Sequence, residues 1–194
     1  MLGEAFFANA EYTRATQAFD EAEKVADIDP ALKRQARFQK AWILYRNQAY
    51  QQAQPIFEAV YAETPNSDVG REALFWSADS HYKMNQFSSA AQRFKIYTDN
   101  YPDSDMMGAA LYSLGWSYFQ MGQYDNAVGP LGDFLNNYEA PSIALFPYDT
   151  DVQLRIGDAY YALGQYRDAI ASYNKAIGAE PGGDYAMFQI ATRN

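Results

Sequence analysis

The residue types that perform most enzyme chemistry are nearly missing from this sequence. It has no cysteine and a single histidine, His81. Disulfides, thiolate nucleophiles and sulfur-ligated zinc are therefore excluded, and so is a metal site built from several histidines. We expect no catalytic residue, no metal site, no cofactor and no enzyme activity in this chain.

Charge and hydropathy exclude two further classes of partner. Lys and Arg number 15 against 24 Asp and Glu, which gives a net charge of −9. Nucleic-acid phosphates require a positive surface, so a nucleic-acid partner is not expected. No apolar run reaches the roughly 18 residues that span a bilayer, so we expect no membrane insertion by this chain. The lack of cysteine fits an oxidising compartment such as the periplasm, although cytoplasmic proteins lack it too.

The functional groups that remain are aromatic side chains, which make up 16% of the residues. The stretch "LGWSYFQMGQY" at 114–124 holds Trp116, Tyr118, Phe119 and Tyr124. Surface rings give large contact areas and are frequent anchors in protein interfaces. Which of these rings pack in a core and which face a partner depends on the secondary-structure elements that carry them.

That stretch is one of five related segments. Beside "LGWSYFQMGQYDNA" stand "IGDAYYALGQYRDA", "SADSHYKMNQFSSA", "KAWILYRNQAYQQA" and "LGEAFFANAEYTRA". Each has a small residue near its start, at Gly3, Ala41, Ala78, Gly115 and Gly157. Nine residues later comes a ring, at Tyr12, Tyr50, Phe87, Tyr124 and Tyr166. Alanine follows at 15, 53, 90, 127 and 169, and then a large residue at Phe19, Phe57, Phe94, Leu131 and Tyr173.

The apolar positions in each copy recur at i, i+3, i+4 and i+7, which predicts helices with one buried face. Asn85, Gly122 and Gly164 lie between the two helices of their copies, where a left-handed backbone ends a helix. The small residue predicts a close approach of the two helices. "PNSD" and "PDSD", at 65–68 and 102–105, end one helix and cap the next.

This register resembles the tetratricopeptide repeat (TPR), whose closing proline is matched by Pro65, Pro102 and Pro181. The resemblance implies an all-α, right-handed superhelical solenoid of antiparallel helix pairs, forming a single domain over 1–194. The expected repeats are 1–30 (partial), 31–65, 66–102, 103–139 and 150–181, with 182–194 as the first helix of a sixth. We therefore expect a fragment of a longer protein, or ends that self-associate.

The repeat step of 37 to 42 residues, with "YPDS" at a junction, is similar to TPR proteins of the bacterial envelope. Those include the outer-membrane assembly lipoprotein and the periplasmic Tol–Pal partner. The longest step contains "EAPSIALFPYDT" at 139–150. Its Leu145 and Phe146 either dock a partner or pack back on their own helices.

In TPR solenoids the first helix of each repeat lines a concave groove, through repeat positions 2, 5, 9, 12 and 13. The resemblance therefore implies a partner-binding groove formed by Phe38, Trp42, Tyr45, Phe75, Asp79, Tyr82, Tyr112, Trp116, Phe119, Leu154 and Tyr161, with Arg46, Lys83, Gln120 and Asp158 at equivalent positions. The ring at position 12, which includes Phe7, either faces the groove or packs between repeats. Trp42 and Trp116 stand where other copies carry acidic residues, which favours contact with a partner.

Two smaller expectations follow from the resemblance. His81 takes the place of a core tyrosine, which predicts a buried, hydrogen-bonded ring. Positions 5 and 9 lack the Lys and Asn of the clamp that binds chaperone tails, so that class of ligand is not expected.

The sequence thus predicts a non-catalytic scaffold that binds a protein segment, in a bacterial envelope assembly. A TPR arm of a larger enzyme or regulator and a glycan-binding groove remain alternatives. Periplasmic or outer-membrane-associated location is expected, with the cytoplasm as the alternative.

Overall fold

The computed structural model describes residues 3, 11–25, 27–137, 148–176 and 189. Over these ranges the chain is helical, with turns between the helices and no β-strand. The helices are α1 Tyr12–Glu23, α2 Pro30–Arg46, α3 Tyr50–Glu63, α4 Asp68–Lys83, α5 Phe87–Asn100, α6 Met107–Gln120, α7 Tyr124–Asn137, α8 Tyr148–Ala162 and α9 Tyr166–Ala176. None of these described helices has the length and hydropathy needed to cross a membrane.

The chain divides into two compact units, Met1–Tyr97 and Thr98–Asn194. In the first unit α1 packs on α2, α2 on α3 and α3 on α4, while Phe75 of α4 meets Phe94 of α5 at 5.6 Å between ring centroids. In the second unit α6 packs on α7, α7 on α8 and α8 on α9. First helices of consecutive repeats also meet, α2 with α4 and α6 with α8. Each unit is therefore a stack of helix hairpins.

The two helices of a hairpin approach most closely at the small residue. Ala41 and Ala78 are fully buried. A Cβ placed on Gly115 would lie 2.6 Å from Leu131 Cγ, and one placed on Gly157 would lie 2.5 Å from Tyr173 Cε1. The predicted alanine and large-residue positions are buried in every copy, at Ala15, Phe19, Ala53, Phe57, Ala90, Phe94, Ala127, Leu131, Ala169 and Tyr173.

Four hairpin turns share one backbone conformation. Asn85, Gly122 and Gly164 have φ values of 58°, 70° and 74°, which confirms their predicted left-handed conformation. Gln48 has a φ of 61° at the same position, where the residue type gave no signal. In each turn two backbone N–H groups bond back to the preceding helix; Gly122 N, for example, donates to Phe119 O at 2.9 Å. This is the Schellman arrangement, which satisfies carbonyls at the helix end.

Capping side chains fix where α2 and α4 begin. Ser67 Oγ accepts a hydrogen bond from Gly70 N at 3.1 Å, as "PNSD" predicted. Asp29 Oδ1 accepts from Ala31 N at 2.8 Å, with Pro30 as the first residue of α2. In "PDSD", Ser104 accepts from Met106 N at 3.2 Å within the turn before α6, and the N-cap residue Met106 makes no side-chain capping bond, so the cap predicted there is not formed.

Several expectations lie outside the described residues. They concern Phe7, Leu145, Phe146, Pro181 and the sixth-repeat helix at 182–194, of which only residue 189 is described. These expectations stay predictions, as does the single solenoid domain over the whole chain.

Candidate functional site

The ring at repeat position 12 has the same partner in four repeats. Each contacts the aromatic residue five positions later, which begins the second helix of its own hairpin. The pairs are Tyr45 with Tyr50 at 5.2 Å, Tyr82 with Phe87 at 5.6 Å, Phe119 with Tyr124 at 5.2 Å and Tyr161 with Tyr166 at 5.3 Å between centroids. These rings therefore close the hairpin turns, a role that the sequence alternatives did not include.

Trp42, Tyr45 and Trp76 form the first ring cluster, in the first unit. Trp42 is parallel to Tyr45 within 6°, with centroids 5.4 Å apart. Trp76 of the next repeat lies 4.3 Å from Trp42 and 5.0 Å from Tyr45. All three rings are partly buried against the core around Phe57. Trp42 thus packs between repeats.

A polar contact joins the same two repeats. The Tyr45 hydroxyl donates a hydrogen bond to Asp79 Oδ2, and Asp79 is only 9% exposed. Burial raises the pKa of Tyr45, and the bond to Asp79 and its negative charge raise it further. Asp79 therefore has a structural partner within the chain.

Tyr112, Trp116 and Phe119 form the second ring cluster, along α6 in the second unit. Trp116 is parallel to Tyr112 within 3° and to Phe119 within 5°, at 6.5 and 5.4 Å between centroids. Tyr112 and Phe119 pack against the core of the second unit, whereas Trp116 is not among the described rings that do so. Trp116 is half-buried by its neighbours on the helix face.

Arg155 of α8 covers Trp116 and belongs to a charged network. Its guanidinium carbon lies 5.3 Å from the centroid of the Trp116 ring. Nη1 donates to Asp158 Oδ2 at 3.0 Å, and Nε lies 3.4 Å from Asp151 Oδ1. The network extends to Tyr112, whose hydroxyl donates to Asp151 Oδ2 at 3.2 Å. Two carboxylates therefore hold the cation in place over the ring.

Besides Asp79, three apolar residues predicted to line the groove are buried instead. Phe38, Phe75 and Leu154 are each at most 6% exposed. Phe38 packs edge to face on Phe57 of its own hairpin, and Leu154 belongs to the core that contains Tyr173. These three side chains fill cores, because their helix turn faces the second helix. The rings left at the surface are the half-buried ones, Trp42, Tyr45, Tyr82, Tyr112, Trp116, Phe119 and Tyr161.

Family models match along most of the sequence. Two models described as tetratricopeptide repeat match residues 1–68 and 150–182. A model described as anaphase-promoting complex, cyclosome, subunit 3, matches residues 46–134. The chain carries tetratricopeptide repeats.

Solved structures with the same fold support the TPR assignment. A MamA protein is 16% identical, with a TM-score of 0.72 over 99% of this chain and 91% of that chain. MamA from Desulfovibrio magneticus RS-1 is 15% identical, with a TM-score of 0.68 over 100% and 93%. TPR-like repeats assigned to a kinesin light chain of Podosopora anserina are 16% identical, with a TM-score of 0.63 over 100% and 94%.

At these identities the likeness shows the fold alone, and it confirms the predicted all-α TPR solenoid. TPR folds typically serve as protein-interaction scaffolds and are generally non-catalytic. Among curated proteins, no sequence matches the chain significantly.

Two residues of the candidate site were not predicted from the sequence of the TPR chain. Trp76 and Arg155 each lie two residues before the small residue of their repeat and contact the tryptophan at position 9 of the preceding repeat. The copies carry different residue types at this position, so the repeat pattern gave no signal. Aligning the copies and asking what faces Trp42 and Trp116 would have found both.

His81 was predicted to be a buried, hydrogen-bonded ring; the hydrogen bond is confirmed and the burial was wrong. It is half-buried, and its Nδ1 lies 2.7 Å from Gln86 Oε1 at the hairpin turn. The equivalent residues Leu44, Tyr118 and Tyr160 are also only half-buried, so this position lies at the edge of the core in each of these copies. Across the described ranges no group of His, Cys, Asp or Glu side chains is arranged to hold a metal ion.

Proposed function

We propose that this TPR chain is a non-catalytic scaffold that binds a segment of a partner protein along its first-helix face. The second ring cluster is the main contact, and Trp116 is its anchor. One observation carries the proposal: Trp116 is a large ring that the core of its unit does not use. Tyr112, Phe119 and Arg155 hold it at the surface in a fixed orientation. Fixed aromatic side chains are frequent hot spots in interfaces.

The first ring cluster has a mainly structural role. Trp42 and Tyr45 contact Trp76 and the core beneath, so they stabilise the junction between two repeats. Their outer edges and that of Tyr82 give the first unit a ring surface of its own, while Tyr161 adds to the ring surface of the second unit. The excess of acidic residues, with a net charge of −9, favours association with a basic segment.

We further propose that the scaffold works in a bacterial envelope assembly, periplasmic or associated with the outer membrane. The support is the sequence resemblance, namely the repeat step longer than the usual 34 residues and the "YPDS" junction. A cytoplasmic location is the alternative. Recovery of the chain from periplasmic and outer-membrane fractions, and not from the cytoplasm, is the expected result of cell fractionation.

Capture from native envelope extract tests the binding proposal. We expect Trp116→Ala to weaken capture of the partner by roughly 10- to 30-fold, as loss of a hot spot does, with little change in melting temperature. Leu32→Ala is the control, because Leu32 is a 43% exposed apolar side chain outside both clusters. It should capture the partner like the unmodified chain.

The double variant Trp42→Ala/Trp116→Ala should bind still more weakly. Because Trp42 packs on Trp76, this variant should also melt at a lower temperature. Unchanged capture by Trp116→Ala would refute the proposal. Unfolding of Trp116→Ala would show that this ring is structural.

A further inference from the structure

Helix α7 carries three residues that weaken a helix, and packing requires neither of its glycines. Pro130 has no N–H, so the Asn126 carbonyl loses the helix bond that it would otherwise accept. Gly129 and Gly132 flank the proline, and a Cβ at either position would meet nothing within 4 Å. At Gly115, by contrast, the close approach of two helices leaves no room for a Cβ. The glycines of α7 therefore lower helix stability without allowing a closer contact.

The other second helices of the hairpins, α1, α3, α5 and α9, lack this combination. Within the described part of the chain, α7 alone among the second helices has an interior glycine, and α3 has an interior proline, Pro55, without one. Counted from the large buried residue, α5 carries Gln92, Arg93 and Lys95 at the three equivalent positions. A glycine makes a helix open roughly fivefold more readily than alanine does, and an interior proline roughly a hundredfold more readily. By helix propensity, α7 is therefore the second helix that opens most readily.

The second half of α7, residues 131–137, is held in place by two large buried side chains, Leu131 and Phe134. They lie in the core that α7 shares with α6 and α8. The corresponding half of α5 is held in the same way, by Phe94 and Tyr97. The first half of α7 is tied to the hairpin turn by the ring pair at its start. Because α5 and α7 are anchored alike, the difference in helix propensity decides which of them opens more often.

We propose that residues 131–137 open and close as a local unit about Pro130, while α6, α8 and the first half of α7 stay folded. Such local openings occur more often than global unfolding, because they break fewer contacts. The opening moves Phe134 away from Tyr112, which it contacts at 5.9 Å between ring centroids. Tyr112 is one of the rings parallel to Trp116, so the segment is a movable support of the second ring cluster. This inference concerns the fold itself and does not depend on the proposed function.

Amide hydrogen exchange of the full chain, followed residue by residue by NMR, tests the opening. After correction for intrinsic rates, the amides of 131–137 should exchange at least roughly 30-fold faster than those of 94–100 in α5. Gly129→Ala/Gly132→Ala should slow exchange at 131–137 by roughly 5- to 25-fold, because each alanine stabilises the helix and has free space. The reciprocal variant Gln92→Gly/Lys95→Gly should speed exchange at 94–100 by a similar factor, since both side chains are exposed.

Low urea concentrations separate local from global opening. Exchange at 131–137 should stay nearly constant in low urea, because a local opening exposes little surface. A rise as steep as that of the slowest amides would show that these residues exchange through global unfolding, and would overturn the proposal. Equal exchange at 131–137 and 94–100, or in the two halves of α7, would overturn it as well. So would an unchanged rate at 131–137 in Gly129→Ala/Gly132→Ala.

Discussion

Gly157 and Gly132 lie in helices of the same unit but in different surroundings, and this difference can be measured. A Cβ at Gly157 would lie 2.5 Å from the buried Tyr173 ring, whereas a Cβ at Gly132 meets nothing within 4 Å. Alanine gains roughly 1 kcal/mol over glycine within a helix, and overpacking costs about 1–3 kcal/mol. We expect Gly157→Ala to lower the free energy of unfolding by about 1 kcal/mol and Gly132→Ala to raise it by about 0.5–1 kcal/mol. Urea unfolding checks both, and a gain at Gly157 would contradict close packing there.

Tyr45 couples stability to alkaline pH. Burial and Asp79 raise its pKa in the folded chain, so the folded tyrosine stays protonated at pH values where the unfolded one, with a pKa near 10, ionises. The contribution of Tyr45 to the free energy of unfolding is therefore full below about pH 10, and it is lost as the pH rises further. Tyr45→Phe should lose about 1–3 kcal/mol at pH 7, because Asp79 loses its donor, and should show a shallower fall above pH 10. Urea unfolding from pH 7 to 11 measures both; equal slopes would contradict the coupling.

At the scale of the elements, the hairpin turns allow residue types to be exchanged between equivalent positions. Gln48 holds a φ of 61°, which costs a non-glycine residue about 1–2 kcal/mol, while Gly122 holds 70° in the equivalent turn. Gln48→Gly should therefore raise the free energy of unfolding by about 0.5–1 kcal/mol, since part of the gain is lost to the freer unfolded chain. Gly122→Gln should lower it by about 1 kcal/mol. Thermal melting of the two variants should move in opposite directions; shifts of the same sign would contradict the shared turn.

The helices and hairpins could be predicted well from the sequence, because each element occurs in five copies whose residues can be compared position by position. Small residues, alanines and large residues recur at fixed positions, so their burial followed from the pattern. The contacts between repeats could not be predicted in this way. The bond from Tyr45 to Asp79 and the cover of Arg155 on Trp116 depend on residues that change from copy to copy. Burial of Phe38 and Phe75 was missed because family positions give a helix face and not the depth of each side chain.

For the whole molecule, contacts between helices join close neighbours along the chain, as expected for a solenoid. A cavity in one core should therefore weaken its own surroundings most. Phe57→Ala should raise amide hydrogen exchange first in α2, α3 and α4, and Leu131→Ala first in α6, α7 and α8. Exchange followed by mass spectrometry resolves these regions. A uniform increase over all described helices in either variant would show that the molecule opens as one cooperative body.

The ring pair at each hairpin turn has a consequence for how the chain folds. Its two members are five residues apart, as in Phe119 and Tyr124, so the contact can form before any distant part of the chain arrives. Loops this short close in well under a microsecond, and proteins rich in such contacts fold rapidly. Each of the four described hairpins therefore contains its own starting point for folding, and a chain emerging from the ribosome can begin at any of them.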